Sequence, residues 1–372
     1  MSGKKQSDEF PMAGQPALWI LIMCVLTLCQ GLHAQRLEWS VDFNTVFDNR
    51  EGDNKMTDTK TFFQTQLAPE IGVSVKDGMH RIMGGVVWTQ PIGCEWNDYN
   101  VSPTLYYRYK GNNGWSMAMG MFPRTLMHRR LPNYVWSDSV NYSQRNIRGV
   151  MATYVGRDGY FEGIVDWRAM QRHNQREAFN IFAHGEWQRP GAILQAGGVA
   201  VMNHLARSKP AFEYEHVVDN FIVNPYIGFD FTEKVKLDSL DVRVGALGSL
   251  TRNRGDGVWK TPVGLWLDVT LEWKMLGWHN TTYVGGKMFP YYSEFGSVLD
   301  QGEPYYRSDW YNRTSLYGYL IRDKWINLQA SLDFNVAKDN FTFYQRLILR
   351  VYIDCNYKKL ASGYKLKSAF QP

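Results

Sequence analysis

The most regular feature of the chain is an alternation of apolar and polar residues in runs of about ten residues. From Val263 to Trp273 every second residue is apolar, and the residues between them include Asp268 and Glu272. The same alternation recurs over residues 37–44, 326–334 and 346–354. Successive side chains of a β-strand point to opposite faces, so each run predicts a strand with one apolar and one polar face. A soluble β-sandwich would alternate in the same way.

The connections between the runs distinguish these two architectures, because short and long connections alternate. Tight turns are predicted at Lys76–Gly78, Gly111–Gly114, Gly156–Gly159, Gln188–Gly191, Glu233–Asp238, Leu276–Gly277 and Arg322–Lys324. Longer segments are predicted at Asp48–Lys60, Thr89–Asn97, Arg124–Asn146, Met170–Gln175, Asn203–Asn220, Thr251–Lys260, Lys287–Arg313 and Ala337–Asn340. Short periplasmic turns and long extracellular loops are typical of bacterial outer-membrane barrels, in which closure pairs every backbone group in lipid. The sequence therefore predicts an all-β, antiparallel transmembrane β-barrel of about 16 strands, with 14 or 18 also compatible with the irregular region 203–250.

The first 34 residues are predicted to be a signal peptide that precedes a single barrel domain over residues 35–372. Lys4 and Lys5 come before an apolar stretch that is too short to span a bilayer, and cleavage fits after Ala34. This leader implies export, and the predicted barrel implies an integral place in the outer membrane. Cys94 and Cys355 remain in the mature chain at opposite ends of the predicted barrel, so we expect no disulfide between them.

Composition narrows the function further. Aromatic residues make up 15% of the chain and the net charge is +5, with no nucleic-acid signature. The mean hydropathy of −0.38 fits a barrel, because only one face of each strand has to be apolar. The sequence contains no CxxC, no HExxH and no glycine-rich phosphate loop, so no metal site and no cofactor are predicted.

Sixteen strands predict an aqueous channel, since smaller barrels fill with their own side chains. The residues predicted to face the lumen carry both signs of charge: Arg81, Arg108, Glu162, Asp166, Arg168, Asp230, Asp241, Arg243, Asp268, Glu272, Asp333, Arg346 and Arg350. A mixed lumen favours passive diffusion of small polar solutes over strong ion selectivity.

Two long loops supply the other candidate site residues. The loop Arg124–Asn146 contains Arg129 and Arg130 and is predicted either to form a constriction or to bind lipopolysaccharide phosphates at the rim. The loop Lys287–Arg313 is rich in aromatic residues that could stack on sugar rings: Tyr291, Tyr292, Tyr305, Tyr306 and Trp310. An interfacial aromatic girdle with ordinary loop packing is the alternative for that loop.

A hydrolase is the third hypothesis. His184 and Glu186 on one predicted strand lie near Tyr160, Glu162 and Asp166 on its neighbour, and a histidine beside carboxylates can act as a general base. Because no serine or cysteine stands at an obvious partner position, hydrogen bonding across the strands is the simpler explanation. The sequence reading is therefore that the chain is not an enzyme.

Two stretches resemble porin-like outer-membrane β-barrel proteins of Bacteroidota, a largely uncharacterised family. They read YFEGIVDWRAMQRHNQREAFNIFAHGEW from Tyr160 and YVGGKMFPYYSEFGSVLDQGEPYYRSDWY from Tyr283. The resemblance implies a barrel in the outer membrane and transfers no catalytic residue. The expected function is a porin-like channel, and the alternative is a plugged barrel that binds surface glycans or proteins or serves as an export scaffold. Expected partners are membrane lipid, lipopolysaccharide, the barrel-assembly machinery, small polar solutes and, as an open alternative, further copies of the chain.

Overall fold

A computed structural model describes residues 35–232, 234–355 and 365–367, so the predicted signal peptide lies outside the described residues. Sixteen antiparallel strands close into one barrel, in which β1 pairs with β16. The strands are β1 Arg36–Gly52, β2 Thr61–Val75, β3 His80–Pro91, β4 Asn100–Lys110, β5 Trp115–Pro123, β6 Asn146–Gly156, β7 Gly159–Ala169, β8 Ala178–Gln188, β9 Leu194–Leu205, β10 Val218–Asp230, β11 Ser239–Asn253, β12 Val263–Trp273, β13 Leu276–Gly285, β14 Trp310–Arg322, β15 Ile326–Ala337 and β16 Asn340–Asp354. The predicted fold and strand number are confirmed.

The alternation in the sequence becomes an apolar outside and a polar inside. In β12, Val263, Leu265 and Trp273 are exposed on the outer wall, whereas Trp266 is buried in the lumen. One predicted turn was wrong: the β12–β13 turn lies at Lys274 and Met275, two residues before Leu276–Gly277. Lys274 takes a positive φ of 54°, a conformation in which the sequence pattern expects glycine. In the described ranges no helix is both long and apolar enough to cross a membrane.

Two of the long loops fold into the barrel and meet there. The first inward loop is residues 124–145, and it contains the short α-helix Asp138–Ser143. The second inward loop is residues 286–309. The backbone N–H of Ser137 donates to the carbonyl of Gln301 at 2.8 Å, and the N–H of Glu303 donates to the carbonyl of Asn133 at 2.8 Å. The loops therefore form one unit that fills the half of the lumen on the long-loop side, which in such barrels is extracellular.

Buried ion pairs anchor the first inward loop to the barrel wall. Asp138 Oδ2 accepts from Arg313 Nη2 at 2.9 Å and from Arg346 Nη1 at 2.8 Å. Asp333 accepts from Arg346 Nε at 2.7 Å and from Arg313 at 3.3 Å. Burial alone would raise the pKa of Asp138, but the two guanidinium groups hold that pKa below its usual range. Burial and the nearby Asp138 raise the pKa of Glu303, whose carboxylate accepts from the Asp138 backbone N–H at 2.9 Å.

The short-turn end of the lumen receives a segment from the C-terminal part of the chain. Residues 365–367 lie there, where the Leu366 N–H donates to the Asp323 carbonyl at 2.7 Å and Asn327 Nδ2 donates to the Leu366 carbonyl at 2.8 Å. Arg350 Nη1 donates to the Lys367 carbonyl at 3.0 Å. At the two ends of the barrel, Cys94 and Cys355 are not joined by a disulfide, as predicted.

Candidate functional site

The two halves of the lumen differ in their contact with water. In the half filled by the inward loops, the Arg346 side chain is only 1% exposed and Tyr305 and Tyr306 are fully buried. Towards the short turns, the side chain of Arg129 is 39% exposed and that of Arg243 is 20% exposed. The lumen is therefore packed on its extracellular side and forms a water-exposed vestibule on its periplasmic side.

A histidine–carboxylate pair stands at the wall of this vestibule. Glu162 in β7 and His184 in β8 are register partners, and their Oε1 and Nε2 atoms are 2.9 Å apart. The other ring nitrogen of His184, Nδ1, lies 3.2 Å from the Tyr160 hydroxyl. Glu162 also accepts from Thr153 Oγ1 at 2.6 Å and from the His128 backbone N–H at 3.0 Å. The Glu162 carboxylate accepts the N–H of Nε2 and so fixes the orientation and the tautomer of the imidazole. Nδ1 is then free of a proton and can accept the phenol proton of Tyr160.

A second carboxylate holds two cations beside this relay. Glu186, the register partner of Tyr160, accepts from Tyr226 at 2.8 Å and forms ion pairs with Arg129 at 2.9 Å and Arg243 at 3.1 Å. The Arg129 guanidinium lies 5.6 Å from the centre of the Tyr160 ring. Positive charge is thus fixed next to a polarised phenol, an arrangement that can stabilise an oxyanion.

The tip of the first inward loop completes the vestibule. The His128 ring lies 4.4 Å from the Tyr160 ring, and burial lowers the pKa of His128 although Glu162 acts in the opposite direction. Burial lowers the pKa of Arg130 to about 9, with the positive charge of Arg350 adding to this effect. Burial lowers the pKa of Lys367 too, and the positive charges of Arg130 and Arg129 add to this effect. The tip and the C-terminal segment therefore bring several cations together in the vestibule.

The structure places the other lumen residues named from the sequence in separate sites. Arg108 faces the lumen opposite Arg81, and the carboxylate of Asp166 accepts from the Arg148 backbone N–H at 2.9 Å, away from His184. Arg168 donates to Asn180 at 3.1 Å and to carbonyls of the second inward loop. The remaining pairs are Asp268 with His279 at 2.9 Å, Glu272 with Arg322 at 3.0 Å, Arg346 with Asp333, and Arg350 with Asp42 at 2.8 Å.

The packing of both loops changes their predicted roles. Arg129 and Arg130 lie inside the barrel, so the rim alternative for that loop does not fit. The rings proposed for glycan stacking do not form a free surface: Tyr305 hydrogen-bonds Tyr344 at 2.7 Å and Tyr306 hydrogen-bonds Asn133 at 2.7 Å. Tyr291 is buried and Tyr292 is half-buried, while Trp310 is on the outer wall. The phenols of Tyr305 and Tyr306 hydrogen-bond polar groups of the fold that would otherwise be buried without partners.

Asp300 is the least compensated carboxylate of the second inward loop. Its Oδ1 accepts from Asn220 Nδ2 at 2.5 Å, and burial raises the pKa of Asp300 to about 7. A raised pKa means that the folded state keeps the proton that the unfolded chain has lost. The contribution of Asp300 to stability is therefore fully present below about pH 4 and is lost as the pH rises to about 7.

Asp300→Asn is expected to remove this pH dependence, because the amide keeps the acceptor for Asn220 without a charge. The melting temperature of the wild-type protein in detergent should fall between pH 5 and pH 8 by more than that of the variant. The difference corresponds to a free energy of unfolding on the order of 2–4 kcal/mol. Equal pH slopes in the two proteins would contradict this assignment.

Some functional residues were not singled out from the sequence. Thr153 and Tyr226 lie at lumen-facing positions of the alternation, and Asp138 lies in a predicted long loop. Their contacts, however, are made with residues that are distant in the chain. Asp138, for example, bonds Arg313 and Arg346. Tyr226 faces the lumen in β10 by its alternation, which was a usable signal.

Comparison with solved structures places the fold among outer-membrane proteins. The crystal structure of the outer membrane protein OpdK from Pseudomonas aeruginosa matches with a TM-score of 0.53 and 8% identity, over 86% of this chain and 99% of that one. OpdK with vanillate matches with a TM-score of 0.53 and 8% identity, over 86% and 98%. OmpTdeltaL8 of Vibrio cholerae, a loop-deletion mutant, matches with a TM-score of 0.51 and 9% identity, over 86% and 100%. The protein is thus an outer-membrane β-barrel with a porin-like architecture.

A sequence model of the family described as lipid A 3'-O-deacylase-type matches residues 30–372. The chain belongs to the lipid A 3'-O-deacylase-type family. No curated protein matches the sequence. The reading that the chain is not an enzyme was wrong, because the description of the lipid A 3'-O-deacylase-type family names an enzymatic activity. That reading relied on the lack of a serine or cysteine at an obvious partner position of His184, and a barrel fold by itself does not decide whether a protein is an enzyme.

Proposed function

We propose that this protein hydrolyses an ester-linked acyl chain of a lipid A-type glycolipid in the outer membrane. The observation that carries the proposal is the series Tyr160–His184–Glu162, with distances of 3.2 and 2.9 Å, at the wall of the vestibule. A hydroxyl, a histidine and an orienting carboxylate within hydrogen-bond reach are the general signature of an activated oxygen. The family description supports the same substrate class.

The chemistry would proceed as general-base hydrolysis. As water attacks the ester carbonyl, it gives a proton to the Tyr160 oxygen, which passes its own proton to His184 Nδ1. Glu162 stabilises the imidazolium that forms. Arg129 and Arg243 would stabilise the negative charge on the carbonyl oxygen. The proton then returns to the departing sugar oxygen, so that one ester and one water become a carboxylic acid and an alcohol.

The packing of the lumen implies a direction of entry for this substrate. The ester would enter from the periplasmic side, since the inward loops fill the extracellular half. Purified protein in mixed micelles exposes both ends of the barrel, so access is not limiting in that assay. Lipid A is the probe, and mass spectrometry should detect the loss of one acyl chain. An unchanged lipid A mass after prolonged incubation would overturn the proposed function.

Passive diffusion of small polar solutes, saccharides included, is the second candidate. The wet, mixed-charge vestibule and the likeness to a porin-like outer-membrane barrel crystallised with vanillate favour it. The packed extracellular half opposes it, because solutes would pass only if the inward loops moved. The plugged scaffold anticipated from the sequence fits the same packing, and it would bind surface glycans or proteins through its extracellular loops.

Planar-bilayer conductance separates the channel from the other candidates. We expect no stable ohmic steps from the wild-type protein, because the inward loops exclude water from half of the lumen. Replacing residues 126–143 by a short glycine–serine linker is expected to open a conducting pore. The arginines left behind would then face water rather than protein. Stable steps from the wild-type protein, interrupted by sugars, would instead establish the channel.

A further inference from the structure

The lipid-facing wall of the barrel is asymmetric in its polarity. Most of the amide and hydroxyl side chains of Asn, Gln and Thr that face outward near the middle of the described strands fall in one sector, from β13 to β2. They are Asn280, Thr282, Asn312, Thr314, Gln345, Thr45 and Thr65. The outer wall of β3–β12 carries mainly apolar and aromatic residues, glycine and proline, with Gln90 and Arg148 towards its long-loop end. Polar groups are costly in lipid unless they are hydrogen-bonded, so this sector requires an explanation.

Four of these side chains form one hydrogen-bonded group, which we call the amide island: Asn280 and Thr282 of β13, and Asn312 and Thr314 of β14. Asn280 Nδ2 donates to Thr314 at 2.8 Å, and Asn312 Nδ2 donates to Thr282 at 2.8 Å and to Asn280 Oδ1 at 3.3 Å. Thr282 donates to Asn280 Oδ1 at 2.9 Å, and Thr314 donates to Asn312 Oδ1 at 3.1 Å. The lumen-facing neighbours on these strands, such as Thr281 and Tyr283, point the other way and are buried.

The bonding capacity of the island is used almost completely. Each asparagine amide offers two N–H donors and a carbonyl oxygen with two lone pairs. Both donors of Asn312 and both lone pairs of Asn280 are used within the island. One N–H of Asn280 and one lone pair of Asn312 Oδ1 are left over. These two groups lie on adjacent strands and face the hydrocarbon.

A donor and an acceptor on the same patch are complementary to a second copy of that patch related by a two-fold axis. Asn280 of each copy can donate to Asn312 of the other, which is the reciprocal pattern of an isologous interface. We propose that two copies of this chain associate in the membrane through the β13–β14 wall, with the amide island at the centre of the contact. The proposal is independent of the reaction in the lumen.

The outer surface beside the island suits close approach. Gly318 and Ala330 form a depression between the larger side chains of Leu276, Leu316 and Leu347. Small residues let two membrane-embedded elements approach closely, and polar side chains then bond across the contact. Leu316 is 45% exposed to the lipid side, so it is a suitable residue from which to probe the contact.

The double variant Asn280→Leu with Asn312→Leu tests the proposal. In nanodiscs, single-molecule photobleaching should show wild-type dimers, and the variant should raise the dimer dissociation constant roughly 10- to 100-fold. The matched control Thr45→Val with Thr65→Val removes another lipid-facing polar pair, whose hydroxyls are 3.3 Å apart, and should leave the dimer unchanged. Heat-modifiable migration on gels verifies that each variant is folded.

Cross-linking locates the contact independently. In a background with Cys94→Ser and Cys355→Ser, Leu316→Cys should form a disulfide between two copies under mild oxidation. Val244→Cys, which is 40% exposed on β11, should not. A monomeric wild-type protein, an unaffected dimer in the double variant, equal cross-linking at both positions, or a co-purified lipid in place of the second copy would each overturn the proposal.

Discussion

Tyr160→Phe is expected to reduce the release of acyl chains from lipid A by about 100- to 10,000-fold, the usual contribution of a positioned acid–base group. The substitution removes only the hydroxyl that bonds His184 Nδ1, so the ring keeps its contacts with His128 and Arg129. The rate is measured as the loss of one acyl chain by mass spectrometry, with saturating lipid A so that kcat is compared.

The matched control is Tyr317→Phe, which removes another vestibule phenol that bonds a carboxylate, Glu272 Oε1 at 3.1 Å. This control should retain the wild-type rate. His184→Gln should resemble Tyr160→Phe, because the relay then lacks the imidazole nitrogen that accepts the phenol proton. A Tyr160→Phe enzyme as active as the control would remove Tyr160 from the reaction and leave the series as cross-strand hydrogen bonding.

Arg346→Met is expected to lower the free energy of unfolding by about 3–5 kcal/mol, the usual cost of leaving buried charges unpaired. It leaves Arg313 as the one guanidinium that the described residues place on Asp138 and Asp333, although Asp333 keeps the hydroxyls of Ser315 and Ser331. Denaturant unfolding of the detergent-solubilised barrel measures the loss. Arg322→Met is the control, because its ion pair with Glu272 is 3.0 Å long but lies in the wet vestibule. Arg322 and Glu272 keep some contact with water, with 20% and 14% of their side chains exposed, so the loss in the control is expected to be smaller. Equal losses in the two variants would contradict a drier extracellular half.

The barrel was predictable because its constraints are local. Closure in lipid requires alternation in every strand and a turn between neighbours, and both leave a trace in the sequence. The β12–β13 turn shows the limit of such local signals. Lys274 adopts a conformation for which the pattern expects glycine, so the turn was predicted at the nearby Gly277 instead. Similarly, β1 continues to Gly52, four residues beyond the predicted start of its loop at Asp48.

The destination of the loops was not predictable for a different physical reason. Asp138 folds inward because it pairs with Arg313, 175 residues away, and local pattern carries no information about such a distance. The candidate site lies between these cases. Alternation alone puts Glu162 and His184 on the lumen face, but their pairing depends on the register between β7 and β8, including the irregularity between Trp167 and Ala169. A one-residue slip would turn one of them towards lipid.

The ion pairs of Asp138 also impose an order on assembly. Asp138 belongs to the first half of the chain, whereas its partners Arg313 and Arg346 stand on β14 and β16, near the other end of the barrel sequence. A nascent sheet that lacks these strands would hold the Asp138 carboxylate without either guanidinium. Its first inward loop is then more stable in water than inside the sheet. Packing of the loop inside the barrel and closure of the seam between β1 and β16 therefore occur together, late in folding. The first inward loop can pack stably only when all sixteen strands are in place.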